Sequence, residues 1–362
     1  HRAESSSSAG MIGGVGNELY RSSHSAALGG ASNKVKSAWY SFVAGGQYNE
    51  ISGVGFSSLM SSILGGRKNS VILSYYSSIN IGEYNTISGS TGSAVLAGRH
   101  NTISGSHYSS LTAGTGNSLK FSDFSSISAG RHNLLSGSDD SFINAGVENE
   151  IKNSDGCLVG VGSGNSISGS DYSSIVGGST TEIKNSDFSI IGGGSGNLIQ
   201  DSTGSSLLGG TSNVISGNRS VLVGGSANSV FGDEVVLVGG KNNTASGEFV
   251  TIFAGENNNI TGTASSIIAG RNNKLLNSDD SSIVAGNLND VTSSLKSSIS
   301  AGTGNQISNG SNSTIGGGKE NSIDQSSDVA INVGIGNLIN LSSSTSLINA
   351  GTENTITAAS TS

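Results

Sequence analysis

Five aspartates, Asp123, Asp139, Asp155, Asp171 and Asp187, recur at a constant 16-residue interval. If the chain brings them side by side as neighbouring strands do, their backbones stand about 4.8 Å apart. The carboxylates then repel by roughly 1 kcal/mol per adjacent pair in water. Two agents are able to offset that repulsion. Lys120, Lys152 and Lys184 lie three places earlier on alternate members of the series, and an oxygen-seeking cation such as Ca²⁺ is the other candidate. One place beyond the acid register runs an aromatic series with gaps: Tyr76, Tyr108, Phe124, Tyr172 and Phe188. Such rings suit three tasks: covering a corner of the fold, burying against a partner chain, or stacking on a host or matrix glycan.

Catalytic constellations are harder to find. His1, His24, His100, His107 and His132 are scattered, and only His100 and His132 share a register. The acid pairs Asp139-Asp140 and Asp279-Asp280 sit in polar turns with no sign of a desolvating pocket that would split their pKa values. Glycine-rich phosphate loops require a following helix, and none is expected. The single cysteine, Cys157, stands where other repeats carry serine, so it reads as a small packing residue. The expectation is a chain without enzymatic activity; a polysaccharide-degrading β-helix that uses Asp139, Asp155 or Asp171 is the alternative. Ice binding would call for a threonine column in every repeat, and threonine is scattered.

These columns presuppose a repeat, and the sequence writes one. Aligned on a marker glycine, 22 repeats run from Gly14 to Gly351. The step is 16 residues almost throughout, 15 for the four steps between Gly210 and Gly270, 17 for the last, and 20 between Gly46 and Gly66. Asparagine follows the glycine by three places in 21 of the 22, including Asn69, Asn85, Asn101, Asn117, Asn133, Asn149 and Asn165; Thr181 is the exception. Aliphatic residues stand three places before and five places after the glycine, as in Ile127 and Leu135. A short fixed period marks a solenoid. Alternation around both aliphatic positions gives two short strands per coil, and the density of Gly, Ser, Asn and Thr excludes helix. The fold class is therefore all-β, a parallel β-solenoid of about 22 coils, with a tight turn at Gly-x-x-Asn. Glycine supplies positive φ at that turn, and stacked asparagine amides form a structural ladder.

Composition agrees. Proline is absent, as expected where nearly every backbone N–H serves a neighbouring strand. The net charge of −8 argues against nucleic acid or an anionic membrane as partner, and no apolar run approaches the roughly 20 residues of a membrane span. Residues 1–10 read as a polar N-terminal segment, 11–356 as one solenoid domain, and 357–362 as a polar tail.

The repeat resembles the head-domain repeat of trimeric autotransporter adhesins, the YadA-like family, in a diverged form with 16-residue coils. Ser78-Ile-Asn-Ile-Gly82 comes close to the family hallmark and Ser266-Ile-Ile-Ala-Gly270 is a looser version. The resemblance implies a parallel β-roll, three chains side by side, display outside a cell and a role in attachment. The expected function is thus an extracellular structural and adhesive solenoid of a surface fibre or adhesin, with copies of itself as partners. A self-assembling extracellular filament is the alternative. Association bears on the outward position two before the glycine, occupied by Leu64, Val176, Phe253 and Ile268 among others.

Overall fold

A pair of short strands, most of them two or three residues long, is the unit that recurs from coil to coil. In the coil marked by Gly130, Ser126–Ile127 forms one strand and Leu134–Ser136 the other. Ser126–Ile127 pairs in parallel with Ser110–Leu111 before it and Phe142–Ile143 after it. Leu134–Ser136 pairs likewise with Ser118–Lys120 and Glu150–Lys152. The registers of these strands join like positions of successive coils, as in Leu135 to Ile151. The structure, a computed structural model, describes residues 2–358 and the side chains of all of these but 55–58. It is an all-β parallel solenoid of about 22 turns, and among the described residues there is no helix, hence none long and apolar enough to cross a membrane.

The chain divides into two compact units, His1–Phe188 and Ser189–Ser362. In the first, Arg2–Glu4 already pairs with Glu18–Tyr20, so the stacking starts before the first marker glycine. The 20-residue step is absorbed in the same unit by a long strand, Glu50–Ser58. Its register with Lys34–Trp39 jumps from Lys36 opposite Ser52 to Ala38 opposite Ser57, so the four residues 53–56 stand against Ser37 alone. In the second unit the 15-residue coils keep both strands but shorten one to two residues, as in Val214–Ile215 and Ser229–Val230.

Two aliphatic side chains per coil form the core. Ile127 and Leu135 are fully buried, and so are Ile267 and Leu275 in the second unit. Burying such a side chain contributes about 1.5–3 kcal/mol, which is little for a coil of this length. Most of the remaining interior is polar: the Asn column and two columns of serine are as buried as the aliphatics, with Val235, Val250 and Val329 replacing serine in one of them. Buried polar groups stabilise a fold only when all are hydrogen-bonded, and the repeat makes that possible.

Corners are turned in the left-handed region. In the coil of Gly114, positive φ occurs at Gly114, Gly116, Phe121 and Phe124. A non-glycine residue there costs roughly 1–2 kcal/mol, so the surrounding ladder must impose the conformation. The 15-residue coil of Gly210 keeps positive φ at Ser212 and Arg219 but has none at Gly217. The residue those coils lack is the middle corner.

Candidate functional site

Every column of the repeat becomes a file of side chains, and the files divide into buried ladders and exposed stripes. Asn133 shows the first kind. Its Nδ2 donates to Ala129 O in its own turn and to Gly146 O of the next coil, both at 3.1 Å. Its Oδ1 accepts the backbone N–H of Asn149 at 3.0 Å. Asn69, Asn85, Asn101, Asn117 and Asn149 repeat this acceptance from the next asparagine. Asn165 accepts from both the N–H and the hydroxyl of Thr181, which explains why threonine serves at the one exceptional coil. The ladder expected from the sequence is present, with backbone amides rather than side-chain amides as its main donors.

Two serine ladders accompany it, and the sequence reading missed both. Ser125 Oγ accepts the N–H of Ser141 at 3.0 Å and stands 2.9 Å from Asp123 O and 3.0 Å from Ser138 O, to one of which it donates. Ser138 Oγ accepts the N–H of Ser154. The signal was available as serine at fixed registers eight and eleven places after the glycine. Cys157 occupies the second of these files. Its thiol accepts from Ser173 N–H at 3.4 Å and lies 2.9 Å from Ser170 O. Burial pushes the thiol up to about 11 from 9.0, and the carboxylates of Asp171, Asp155 and Asp187 add to the rise against the opposing Ser173 N–H.

The aspartates form a third ladder, on the outside and running the opposite way. Asp139 Oδ1 accepts the N–H of Asp123 at 2.7 Å, Asp155 that of Asp139, Asp171 that of Asp155, and Asp187 that of Asp171. Asp123 itself accepts from His107 N–H. Each carboxylate thus has a donor that offsets the repulsion along the file. Lys152 turns to Glu150 in its own strand, at 2.5 Å. Among the described residues no three His, Cys, Asp or Glu side chains converge as a metal-binding group. In the second unit Asn218 and Asp233 continue the device, and the backbone and side-chain N–H groups of Asn218 hold the Asp233 carboxyl below its ordinary range.

The aromatic series occupies a left-handed corner, with φ between 52° and 54° at Tyr76, Tyr108, Phe124, Tyr172 and Phe188. Tyr108 stacks on Phe124 with centroids 5.4 Å apart, and Tyr172 on Phe188 at 5.3 Å. The other face of each tyrosine is covered by a glycine: a Cβ at Gly92 or Gly156 would stand 2.7 Å from the ring of Tyr108 or Tyr172. Both ring faces of Tyr108 and Tyr172 are therefore covered within the file.

The opposite corner, one and two places after the marker glycine, carries residues to which the sequence reading assigned no role. Arg67-Lys68, Arg99-His100 and Arg131-His132 are all exposed and sit on alternate coils. His100 stacks on Tyr84 at 4.8 Å, and Lys68 Nζ lies 5.0 Å from the centroid of the Tyr84 ring. Arg99 Nε is 3.7 Å from Glu83. The position two before the glycine faces solvent in the single chain: Leu64, Val176, Phe253 and Ile268 are 43–51% exposed.

No protein family matches the chain, and no curated protein does. Among solved structures 13 chains show a match. One, provisionally assigned as an acetyltransferase from Desulfovibrio desulfuricans G20, is 11% identical with a TM-score of 0.12; the match covers 63% of this chain and 64% of that one. The chain thus spans less than two thirds of that structure's length.

Proposed function

We propose that the chain is a non-enzymatic, extracellular solenoid that supplies length and lateral contacts to a surface fibre or adhesin. One observation carries this reading. The asparagine ladder recurs in coil after coil of each unit, while the Asp and Arg side chains lie in outward files that stand apart from one another. Stacked coils give extension and a backbone whose N–H groups are occupied, which suits a spacer exposed to proteases. Small-angle scattering and electron micrographs of the purified chain test it. An elongated particle that survives protease treatment is the expected result. A turnover on polysaccharide that disappears on substituting Asp139, Asp155 or Asp171 would replace this reading with a hydrolase or lyase.

A second feature favours association with copies of the chain. In the second unit six successive coils place Leu208, Val223, Val238, Phe253, Ile268 and Val284 on one outward column, each 36–52% exposed. The stripe bears no ionisable side chain, and its spacing matches another sheet of the same rise. Two such faces bury on the order of 1,000 Å² in total, the lower limit for a specific interface. Sedimentation velocity of the wild type against Val238→Asp/Phe253→Asp reads this directly: an assembly that becomes a monomer is expected, and a wild type that stays monomeric at high concentration opposes it.

A further inference from the structure

The geometry points to a binding lane in the first unit for a linear acidic polysaccharide, one bearing an anionic group on each disaccharide. The lane follows the marker-glycine corner from Gly66 to Gly130, and it rests on the adhesive part of the function proposed above.

Its main feature is spacing. Arg67-Lys68, Arg99-His100 and Arg131-His132 recur every 32 residues, which is every second coil. Two coils rise about 9.6 Å, close to the length of two linked pyranose rings. The full set spans about 19 Å. Between the basic rungs lie Glu83-Tyr84 and Thr115-Gly116. On the next coil Glu148 ends the run, so the lane has a defined length. Within it stand four permanent cations and one acid, in a chain whose net charge is −8. Arg99 is the cation that Glu83 partly engages, at 3.7 Å and with both side chains about half exposed. Such an exposed pair is worth about 1 kcal/mol or less, and a sulfate or carboxylate is able to displace it. Arg67 and Arg131 have no ion pair among the described residues.

The neighbouring groups suit sugar rings. Across the glycines, on the coils that carry Arg67 and Arg99, Leu64 and Leu96 are 44% and 41% exposed and offer apolar contact to a pyranose face. Tyr84 and His100 form a ring stack between the first two arginines. Guanidinium groups grip sulfate or carboxylate in bidentate fashion. Duplex DNA suits the lane poorly, because it presents one charge per about 1.7 Å of axis and two of the five rungs here carry no cation.

The test uses the whole chain and even-numbered oligosaccharides of chondroitin sulfate and of hyaluronan, with neutral dextran and duplex DNA as comparisons, in titration calorimetry. Affinity should rise with length up to about six sugars, level off, and fall as salt increases. Binding of chondroitin sulfate alone assigns the site to sulfate; binding of both shows that carboxylate suffices. Arg67→Ala/Arg99→Ala/Arg131→Ala should weaken binding at least tenfold, whereas the equally charged Arg219→Ala/Lys241→Ala/Arg271→Ala should stay within twofold of wild type. Moving one rung, Arg99→Thr with Thr115→Arg, keeps the charge count and should also weaken binding, with circular dichroism melts confirming that each variant folds. The inference falls if neither oligosaccharide binds, if both triple variants lose affinity equally, if the moved rung binds as well as wild type, or if DNA competes on equal terms. Particle shape and protease resistance do not change with any of these outcomes, so failure here is separable from failure of the spacer reading.

Discussion

Asn149 donates its backbone N–H to Oδ1 of Asn133, one coil earlier, at 3.0 Å, and both side chains are fully buried. Removing Asn133 Oδ1 strands that N–H away from water, and an unsatisfied buried donor costs about 1–3 kcal/mol. Asn133→Ala also leaves Ala129 O without its amide donor, whereas Gly146 O keeps the N–H of Arg131. The expected loss is about 3 kcal/mol, read as a lower denaturant midpoint. Asn133→Thr should lose less, because Thr181 fills the equivalent place with a hydroxyl bonded to Asn165 Oδ1 at 2.8 Å.

Gly130 and Gly65 look alike in the sequence and should behave oppositely. Gly130 has φ 100°, and a Cβ there would run into Gly146 O. At Gly65 a Cβ meets nothing within 4 Å. Gly130→Ala should therefore destabilise by more than about 3 kcal/mol, while Gly65→Ala should be neutral or stabilise by about 0.4–1 kcal/mol through the unfolded chain. Thermal melts of the two variants side by side make the comparison.

Along the acid file the oxygen matters and the charge opposes stability. Asp155→Asn keeps the acceptor for Asp139 N–H, as Asn218 Oδ1 does for Thr203 N–H at 2.8 Å, and removes repulsion of roughly 1 kcal/mol per neighbour. It should be neutral or mildly stabilising at low salt, with the gain fading as salt rises. Asp155→Ala gives up the acceptor and should be the less stable of the two in the same melts.

Cys157 makes stability fall with alkaline pH. Its thiol is raised from 9.0 to about 11 by burial, so between those values the unfolded chain releases the proton that the folded chain keeps. Stability is thus lost as pH climbs from about 9 toward 11. Cys157→Ser should abolish that component and keep the ladder, since serine occupies the same place in adjoining coils. The native thiol should also react slowly with alkylating reagents at pH 8 and quickly in denaturant.

Gly92 supports the ring of Tyr108. Gly92→Val should push the ring out, with the change visible in tyrosine fluorescence, and cost more than Tyr108→Ala. The latter exposes a glycine that is already at a corner and should cost about 1 kcal/mol or less, because the ring is 61% exposed.

The contrast between these variants shows what was legible in advance. A stacked coil returns like positions to like surroundings, so the period, the two aliphatic positions and the asparagine were written in the sequence many times over. Ile127, Leu135 and Asn133 could be assigned from spacing alone. Spacing fixes which residues are neighbours and leaves open which way a side chain points, because that depends on φ at the corners. Positive φ at Tyr108 and Phe124 is what lays their rings flat along the file, over Gly92 and over each other. The reversed direction of the Asp139 to Asp123 bond, the carbonyl partners of Ser125 and the loss of the middle corner at Gly217 are likewise set by backbone path. The three Arg-Lys and Arg-His pairs were visible as letters from the start. Only the tertiary winding, which carries the chain once around between them, decided that they share one exposed corner on alternate rungs.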